Sequence, residues 1–215
     1  MDRGLFITVE GMDGSGGTTQ ATKIFNWMKE RGIECELTKE PGTKHIRECV
    51  EIRKLVLDPS YNISARSELF LFLADRALHV DRFINEKLEQ GIHVISDRFA
   101  DSTRVYQCVR GLDRDMVDTL IDFATDGLVP DVTFLLDVPP YLGIERARKK
   151  SEYKGGDRME IEDMSFHESV RNGFLKLASS VSDGYRFVTI NTDKSSVEET
   201  HKKIIDVVSN KLWIG

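Results

Sequence analysis

The sequence predicts a doubly wound α/β domain with a five-stranded parallel sheet flanked by helices. Five short, β-rich apolar runs alternate along the chain with helical patterns, which implies parallel pairing with right-handed crossovers. Several runs are continuous rather than alternating in polarity, as expected for strands covered on both faces. The predicted strands are Leu5–Glu10, Glu34–Thr38, His93–Ser96, Val132–Val138 and Arg186–Ile190.

Helical patterns fill the intervals between these strands. The first, Thr18–Arg31, stops at Gly32, and the longest, Ser64–Gln90, begins with a capping signature and ends before Gly91. Four more helices are predicted over Met116–Ala124, Tyr141–Lys149, Ser165–Ser180 and Val197–Leu212. We expect one domain over residues 1–215, with a mobile lid segment around 149–158.

Composition narrows the class of protein. A hydrophobic content of 40% and a charged content of 31% are typical of a soluble globular protein, and the net charge of −6 argues against non-specific nucleic-acid binding. No apolar run approaches the roughly 20 residues of a membrane span. The chain begins too close to the first strand for a signal peptide, and its three cysteines are widely spaced. We therefore expect a cytoplasmic protein with no nucleic-acid or membrane partner.

A glycine-rich turn joins the first predicted strand to the first predicted helix. This arrangement is typical of the phosphate-binding P-loop, G-x-x-x-x-G-K-[ST], although an ordinary glycine-rich turn is the alternative. Gly11, Gly16 and Thr18 match the motif, with Thr18 as a magnesium ligand, but Gly17 occupies the lysine position. The candidate phosphate-binding residues of this loop are Gly11, Asp13, Gly14, Ser15, Gly16, Gly17, Thr18 and Thr19.

Polar residues that follow the strands are further candidates, because ligands of such sheets bind beyond the carboxyl ends of the strands. Asp97 and Arg98 follow a predicted buried strand and offer a carboxylate for magnesium and a guanidinium for phosphate, although a surface ion pair is the alternative. Phe72 and Arg76 share one helix face, where the ring could stack on a base or simply belong to the core. A basic cluster around a Gly-Gly pair suits either a loop that closes over a nucleotide or a solvated face.

Taken together, these motifs resemble the thymidylate kinase family, whose members are P-loop enzymes that transfer the γ-phosphoryl group of ATP to dTMP. The matching segments follow the family order over most of the chain. They are 6–16, 40–42, 68–76, 97–99 with 101–102 and 106–107, 130–140, and 157–160 with 166 and 170–171. The resemblance implies a nucleoside monophosphate kinase fold, ATP and dTMP as substrates, Mg²⁺ as cofactor, and a homodimer formed through the long helices.

The resemblance also implies roles for individual residues. Asp13 would hold the deoxyribose 3′-hydroxyl, Phe72 would stack on thymine, and Arg76 would bond the edge of the base. Arg98 would hold the dTMP phosphate, with Asp97 near the magnesium. The other acceptor-side residues would be Glu40, Pro41, Ser102, Gln107 and Tyr106, the last placed to exclude a 2′-hydroxyl.

Gly17 is the main departure from the family pattern. Loss of the P-loop lysine is expected to cost about 10²–10³ in rate, because the lysine stabilises charge on the transferred group. Relatives that lack an arginine at the position of Gly14 supply a cation from the lid. The lid candidates here are Arg158 first, then Arg148, Lys149 and Lys154; Lys44 and Arg47 are further candidates for compensating the loss.

Three functions follow from these observations. The first is a working thymidylate kinase in which another cation replaces the lysine, with Asp97, Arg98 and Arg158 as catalytic residues. The second is a nucleotide-binding protein that has lost catalysis. The third is a kinase for another nucleoside monophosphate, such as dUMP, CMP or AMP. The presence of Asp97, Arg98 and the lid cations favours the first.

Overall fold

The computed structural model describes residues 3–149, 156–180 and 182–213. Within these residues, five strands form one sheet in the order β2-β3-β1-β4-β5, and every neighbouring pair is parallel. The strands are β1 Phe6–Glu10, β2 Cys35–Lys39, β3 His93–Asp97, β4 Val132–Asp137 and β5 Phe187–Asn191. The prediction of a five-stranded parallel sheet flanked by helices is confirmed.

Helices connect the strands and pack on both faces of the sheet. They are α1 Gly17–Lys29, α2 Arg47–Leu57, α3 Ala65–His79, α4 Asn85–Glu89, α5 Ala100–Val109, α6 Arg114–Thr125, α7 Pro140–Arg148, α8 Met164–Ala178 and α9 Val197–Trp213. In the described part of the chain, no helix is both long enough and apolar enough to span a membrane.

Three features of the elements differ from the sequence prediction. Helices α2 and α5 were not predicted. The helix predicted over 64–90 is divided by a π-helical turn, Val80–Ile84, which separates α3 from α4. The side chain of Ser64 caps α3 by accepting a hydrogen bond from Ser67 N, as its position suggested.

The strands are continuous apolar runs in the sequence because helices cover both faces of the sheet. Adjacent residues of β1 point to opposite faces of the sheet, and both faces are covered. Phe6 packs in a cluster with residues of α3, α4 and α6, whereas Ile7 packs in a cluster with residues of α1 and α9. All five β1 side chains are therefore buried.

The carboxyl ends of the strands form the edge at which the candidate residues meet. The glycine loop leaves β1, the central strand, and leads into α1. Lys39 and Asp97 are paired in register at the ends of the adjacent strands β2 and β3. The topology therefore brings residues that are distant in sequence to a single opening beside the glycine loop.

Candidate active site

A cavity of about 680 Å³ opens at this edge of the sheet. It extends from the glycine loop past the end of β3 to α3 and α5, and it is large enough for small-molecule ligands. Of the predicted site residues, those that line it are Gly11, Asp13, Gly14, Ser15, Gly16, Gly17, Thr18, Thr19, Glu40, Pro41, Phe72, Arg76, Asp97, Arg98, Ser102, Tyr106 and Gln107. Arg148 and Arg158 are not among the described residues that line it.

The glycine loop presents the N-terminus of α1 to the cavity. Gly16 precedes the helix with φ of 105°, a conformation that favours glycine, and no side chain caps the first turn. The N–H groups at the start of α1 consequently have no intrahelical partners and are suited to bind an anion. This geometry fits a phosphate site.

The glycine loop also packs directly against α7. A Cβ atom at Gly14 would lie 1.9 Å from the carbonyl oxygen of Gly143, and a Cβ at Gly143 would lie 2.7 Å from the carbonyl oxygen of Asp13. Two backbones can approach this closely only where neither residue carries a side chain. Helix α7 is thereby fixed beside the loop, with Arg146 one turn further along the helix.

Gly17 lies next to the end of β3. A Cβ atom there would be 2.9 Å from Asp97 Oδ1, while Thr18 Oγ1 donates a hydrogen bond to Asp97 Oδ2 at 2.5 Å. Hydroxyl and carboxylate oxygens are the donors that Mg²⁺ prefers, and Mg²⁺ commonly takes its other ligands from water and phosphate. Thr18 and Asp97 therefore fit a magnesium site, although no cluster of three or more His, Cys, Asp or Glu side chains that could hold a metal occurs in the described residues.

Arg98 lines the cavity beside the glycine loop. Its φ of 72° lies in the left-handed region, and its guanidinium donates to the carbonyl oxygen of Gly11 at 2.7 Å, to Asp13 Oδ1 at 2.7 Å and to Ser102 Oγ at 3.1 Å. Tyr106 donates from its hydroxyl to the other Asp13 oxygen at 3.3 Å, and burial raises the pKa of Tyr106. Asp13, Arg98 and Tyr106 thus form one hydrogen-bonded group.

Glu10 supports this group and was not identified from the sequence. It is buried and accepts hydrogen bonds from Phe99 N at 2.7 Å and Ser102 Oγ at 2.6 Å, both in the segment that directly follows Arg98. Burial raises the pKa of Glu10 to about 8, and the neighbouring Asp101 carboxylate adds to the shift. Because it belongs to the apolar pattern of β1, sequence reasoning assigned it only to a strand.

Arg76 is held rigidly at the end of the cavity formed by α3. Its guanidinium donates to Glu40 Oε2 at 2.9 Å, to Thr103 Oγ1 at 2.9 Å and to the carbonyl oxygen of Phe99 at 3.0 Å, and its side chain is 2% exposed. Burial acts to raise the pKa of Glu40, but Arg76 and His79 outweigh it and hold the pKa below its ordinary value. Phe72, one turn earlier on α3, is half-buried and lines the same end.

The structure separates the predicted lid cations. The guanidinium of Arg158 donates to the carbonyl oxygens of Val56 and Ile63 and lies 3.0 Å from Glu68, away from the cavity wall. Arg148 is exposed at the end of α7. Residues 150–155 of the predicted lid, including Lys154, lie outside the described residues.

The cavity wall contains a cation, Arg146, that the sequence placed in the basic cluster without assigning it a specific role. Six basic side chains line the cavity: Lys39, Arg53, Arg76, Arg98, Arg146 and Lys149. Lys39 interacts with a neighbour, Arg53 donates to the carbonyl oxygen of Pro41, and Lys149 pairs with Glu145 at 2.6 Å. Arg146 is half-buried, and no hydrogen bond or ion pair joins it to another described residue. The basic run pointed to this region, but the identity of the cavity-facing residue depends on how α7 packs.

The cavity also carries acidic groups close to the glycine loop. Asp157 lines it, and burial raises the pKa of Asp157 to about 6, with the carboxylate of Asp13 adding to the shift. Asp97 and Asp13 lie at the loop itself. Gly17 carries no side chain that could offset the charge of these carboxylates.

Comparison with known proteins identifies the relatives of this chain. The thymidylate kinase family model matches residues 9–204. The thymidylate kinase of Halothermothrix orenii is 43% identical over 211 residues, covering 98% of this chain and 99% of the relative. That of Carboxydothermus hydrogenoformans is 46% identical over 177 residues, covering 82% and 85%. A crystal structure of thymidylate kinase from Ehrlichia chaffeensis superposes with a TM-score of 0.76 at 32% identity, covering 96% of this chain and 99% of that one.

Proposed function

The chain belongs to the thymidylate kinase family, and from this premise we propose that it transfers the γ-phosphoryl group of ATP to dTMP, giving ADP and dTDP. The observation that carries the proposal is that the glycine loop, the end of β3 and helices α3 and α5 line one cavity on a chain that aligns with thymidylate kinases over nearly its whole length. Phosphoryl transfer depends mainly on positioning and on stabilising charge, and this cavity offers both.

The glycine loop would bind the ATP phosphates with Mg²⁺. The N–H groups at the start of α1, which form the positive end of the helix dipole, would face the phosphates. Thr18 and Asp97 would hold the magnesium ion. Magnesium supplies positive charge to the transferred group when it is bound. In this role the Thr18 hydroxyl oxygen would be a metal ligand, and the Asp97 carboxylate would lie beside it.

The acceptor would lie along the wall formed by α3, α5 and the end of β3. Arg98 would exchange part of its contact with Asp13 for the dTMP phosphate, which leaves Asp13 free to accept from the 3′-hydroxyl. Phe72 would stack on the base, with Arg76 at its edge. Glu40 and Pro41, Ser102, Tyr106 and Gln107 complete the proposed acceptor site.

Arg146 is our candidate for the cation that replaces the missing lysine. It lies one turn after Gly143, the residue of α7 that touches the glycine loop, and it lines the cavity with no hydrogen bond or ion pair to another described residue. A guanidinium with no such pair among these residues can bind a phosphate without first breaking one of them. Arg158, by contrast, is already held by Glu68 and two carbonyl groups.

Steady-state kinetics of three variants test this role. Arg146→Ala should lower kcat by about 10²–10³, since it removes a cation that stabilises the transferred group. Arg148→Ala is the matched control, because Arg148 is exposed and lies off the wall, and its kcat should stay near the wild-type value. In a Gly17→Lys background the loss caused by Arg146→Ala should shrink. An unchanged kcat in Arg146→Ala would rule Arg146 out.

A panel of acceptors tests the function itself. With ATP and Mg²⁺, the protein should release ADP fastest in the presence of dTMP, measured against dUMP, CMP and AMP in one coupled assay. No ADP above a control without enzyme would favour a nucleotide-binding protein that has lost catalysis. A higher kcat/KM for another acceptor would identify a different monophosphate kinase.

We also propose a cytoplasmic homodimer. Phe70 on α3 is 55% exposed, and a second copy packed on the long helices would cover it. Sedimentation should give a mass near twice 24.5 kDa, and Phe70→Glu should reduce it towards that of one chain. The three unpaired cysteines fit the reducing cytoplasm.

A further inference from the structure

A buried histidine lies behind the end of the cavity that α3 forms. His79 is the last residue of α3, its side chain is 0% exposed, and it is not among the described residues that line the cavity. Its Nδ1 atom lies 2.9 Å from Glu40 Oε1, and its Nε2 atom lies 2.7 Å from Thr38 Oγ1. The imidazole ring therefore joins α3 to the carboxyl end of β2 and to the residue that follows that strand.

Glu40 has a separate partner on α3 for each of its carboxylate oxygens. Its Oε2 accepts a hydrogen bond from Arg76 Nε at 2.9 Å and lies 2.8 Å from Arg76 Nη2, while its Oε1 meets His79. Arg76 and His79 are three residues apart, so they lie on the same face of the helix. Because both partners belong to one rigid helix, together they fix the position and the orientation of the carboxylate.

The charge of Glu40 determines which atom of the imidazole carries a hydrogen. Although burial acts to raise the pKa of Glu40, Arg76 and His79 hold that pKa below its ordinary value, so the group is a carboxylate at neutral pH. A carboxylate only accepts hydrogen bonds, and His79 Nδ1 must therefore be a donor. The hydroxyl group of Thr38 can donate or accept, so it places no such demand on Nε2.

The residues held in this way belong to the cavity. Glu40, Pro41 and Arg76 all line it. The loop that contains Glu40 and Pro41 has a second attachment to α3, because Gly42 N donates to Asp75 Oδ1 at 3.0 Å. A change in the position of the Glu40 carboxylate would consequently reach the cavity by two routes, through this loop and through the guanidinium of Arg76.

We propose that His79 is a positioning residue for the acceptor site: the hydrogen on Nδ1 holds the Glu40 carboxylate against Arg76 and so keeps both groups in place at the cavity wall. His79 itself touches no ligand in this role. Its contribution is therefore to the binding of the acceptor and not to the chemical step or to the binding of ATP at the glycine loop. The proposal rests on the proposed function, in which dTMP occupies this end of the cavity.

The expected size of the effect follows from the loss of a hydrogen bond to a buried charge. Without a donor at the position of Nδ1, Glu40 Oε1 is left unpaired, and the carboxylate can turn away from Arg76. Hydrogen bonds to charged groups are the stronger class, so we expect the KM for dTMP to rise by about 10-fold or more. The KM for ATP and the value of kcat should stay near those of the wild type.

Two substitutions at the same position separate this contact from general packing. In His79→Asn the amide nitrogen takes the place of Nδ1 and can still donate to Glu40, whereas in His79→Gln it takes the place of Nε2 and meets Thr38 instead. Both remove the ring, which stacks on Phe83 with centroids 5.8 Å apart, so both lose that packing contact. Steady-state kinetics should show the rise in the KM for dTMP in His79→Gln, while His79→Asn stays near the wild type.

Equal KM values for dTMP in the two variants would overturn the proposal, whether both are raised or both are unchanged. Should either variant fail to fold, proton–nitrogen NMR of the histidine rings in the wild type decides: a hydrogen on Nδ1 of His79 supports the proposal, and a bare Nδ1 overturns it. Absence of turnover in the wild type would refute the proposed function. The dissociation constants of dTMP for the wild type and the two variants would then provide the same comparison.

Discussion

At the scale of single residues, the site depends on charges that are buried in contact with each other. Glu10 directly precedes the glycine loop, and its carboxyl group accepts from the backbone N–H of Phe99 and from the side chain of Ser102, both of which follow Arg98. The left-handed conformation of Arg98 is unfavourable for a residue with a Cβ, so it persists only where neighbouring groups determine it. Ser96 adds to this restraint by donating to the carbonyl oxygen of Arg98 at 2.6 Å.

The titration of Glu10 gives a prediction at this scale. Its pKa is raised from 4.5 to about 8 in the folded protein, so the folded state holds the proton more tightly than the unfolded chain. The free energy of unfolding therefore falls as pH rises from about 4.5 to about 8. Glu10→Gln cannot lose this proton, and thermal melts across that range should give a flatter pH profile than the wild type.

Glu48→Gln is the control for this experiment. Glu48 pairs with Arg82 at the surface, and removal of its carboxyl group should leave the profile between pH 5 and pH 8 as in the wild type. Parallel profiles for wild type and Glu10→Gln would show that Glu10 does not titrate in this range.

At the scale of elements, the position of α7 determines the shape of the glycine loop. Gly143 lets the helix touch the carbonyl group of Asp13, and the loop residue Gly14 makes the reciprocal contact. The same packing presents Arg146 to the cavity. Helix α7 is therefore a structural support for the glycine loop, and it ends where the predicted lid segment begins.

Two glycine substitutions separate this role from a general effect on stability. Gly143→Ala would place a methyl group 2.7 Å from a backbone oxygen, which cannot move unless the loop moves. We expect kcat/KM for ATP to fall by about 10-fold or more, since displacements of about 1 Å can cost 10² in rate. Gly173→Ala in α8 would meet only the side chain of Val105, at 2.8 Å, and should leave kcat/KM near the wild-type value.

Coupled assays on both variants give the comparison, with urea unfolding to measure stability. Alanine is the better helix former by up to about 1 kcal/mol, so both helices gain equally from that change. An equal loss of activity in the two variants would contradict a specific role for Gly143.

The elements that sequence patterns missed have a common physical cause. Helix α5 begins only three residues after β3 ends, and it contains Thr103, Val105 and Tyr106, which are poor helix formers. It is stabilised by packing on α3, α6 and α8 rather than by intrinsic propensity. The π-helical turn at 80–84 likewise leaves no signature that a 3.6-residue period could reveal.

At the scale of the whole molecule, the parallel sheet brings residues that are distant in sequence to the wall of one cavity. Residues at the carboxyl end of a strand could be predicted to converge, and most of the proposed site residues do line the cavity. Arg148 does not, because the direction of a helical side chain depends on packing that the motif does not encode. Arg158, which lies in a turn before α8, is held instead by Glu68 and two carbonyl groups. The cavity-facing position of Arg146 likewise depends on how α7 packs.

Ligand binding gives a prediction for the whole fold. A non-hydrolysable ATP analogue with Mg²⁺, at about 100 times its dissociation constant, should stabilise the protein by about 2.7 kcal/mol. For a chain of 215 residues this corresponds to a rise in Tm of about 5–11 °C. Removal of Mg²⁺ with EDTA should reduce the shift caused by the ATP analogue and leave the shift caused by dTMP unchanged.

Thr18→Val and Thr22→Val form a matched pair for the magnesium part of this shift. Both hydroxyls lie on α1, but that of Thr18 donates to Asp97 whereas that of Thr22 donates to the carbonyl oxygen of Thr18. Only in Thr18→Val should Mg²⁺ fail to increase the rise in Tm caused by the ATP analogue. An equal response of the two variants would place the metal elsewhere.

The contact between Gly14 and Gly143 also restricts how this sequence can change over generations. A side chain at either position collides with the backbone of the other segment, so one substitution cannot prepare the way for the second. Most pairs of residues in contact can change by successive substitutions, in which one side chain becomes smaller as the other becomes larger. Here both partners are already the smallest residue available, so the pair has no neutral path away from its present state, although the two glycines lie 129 positions apart.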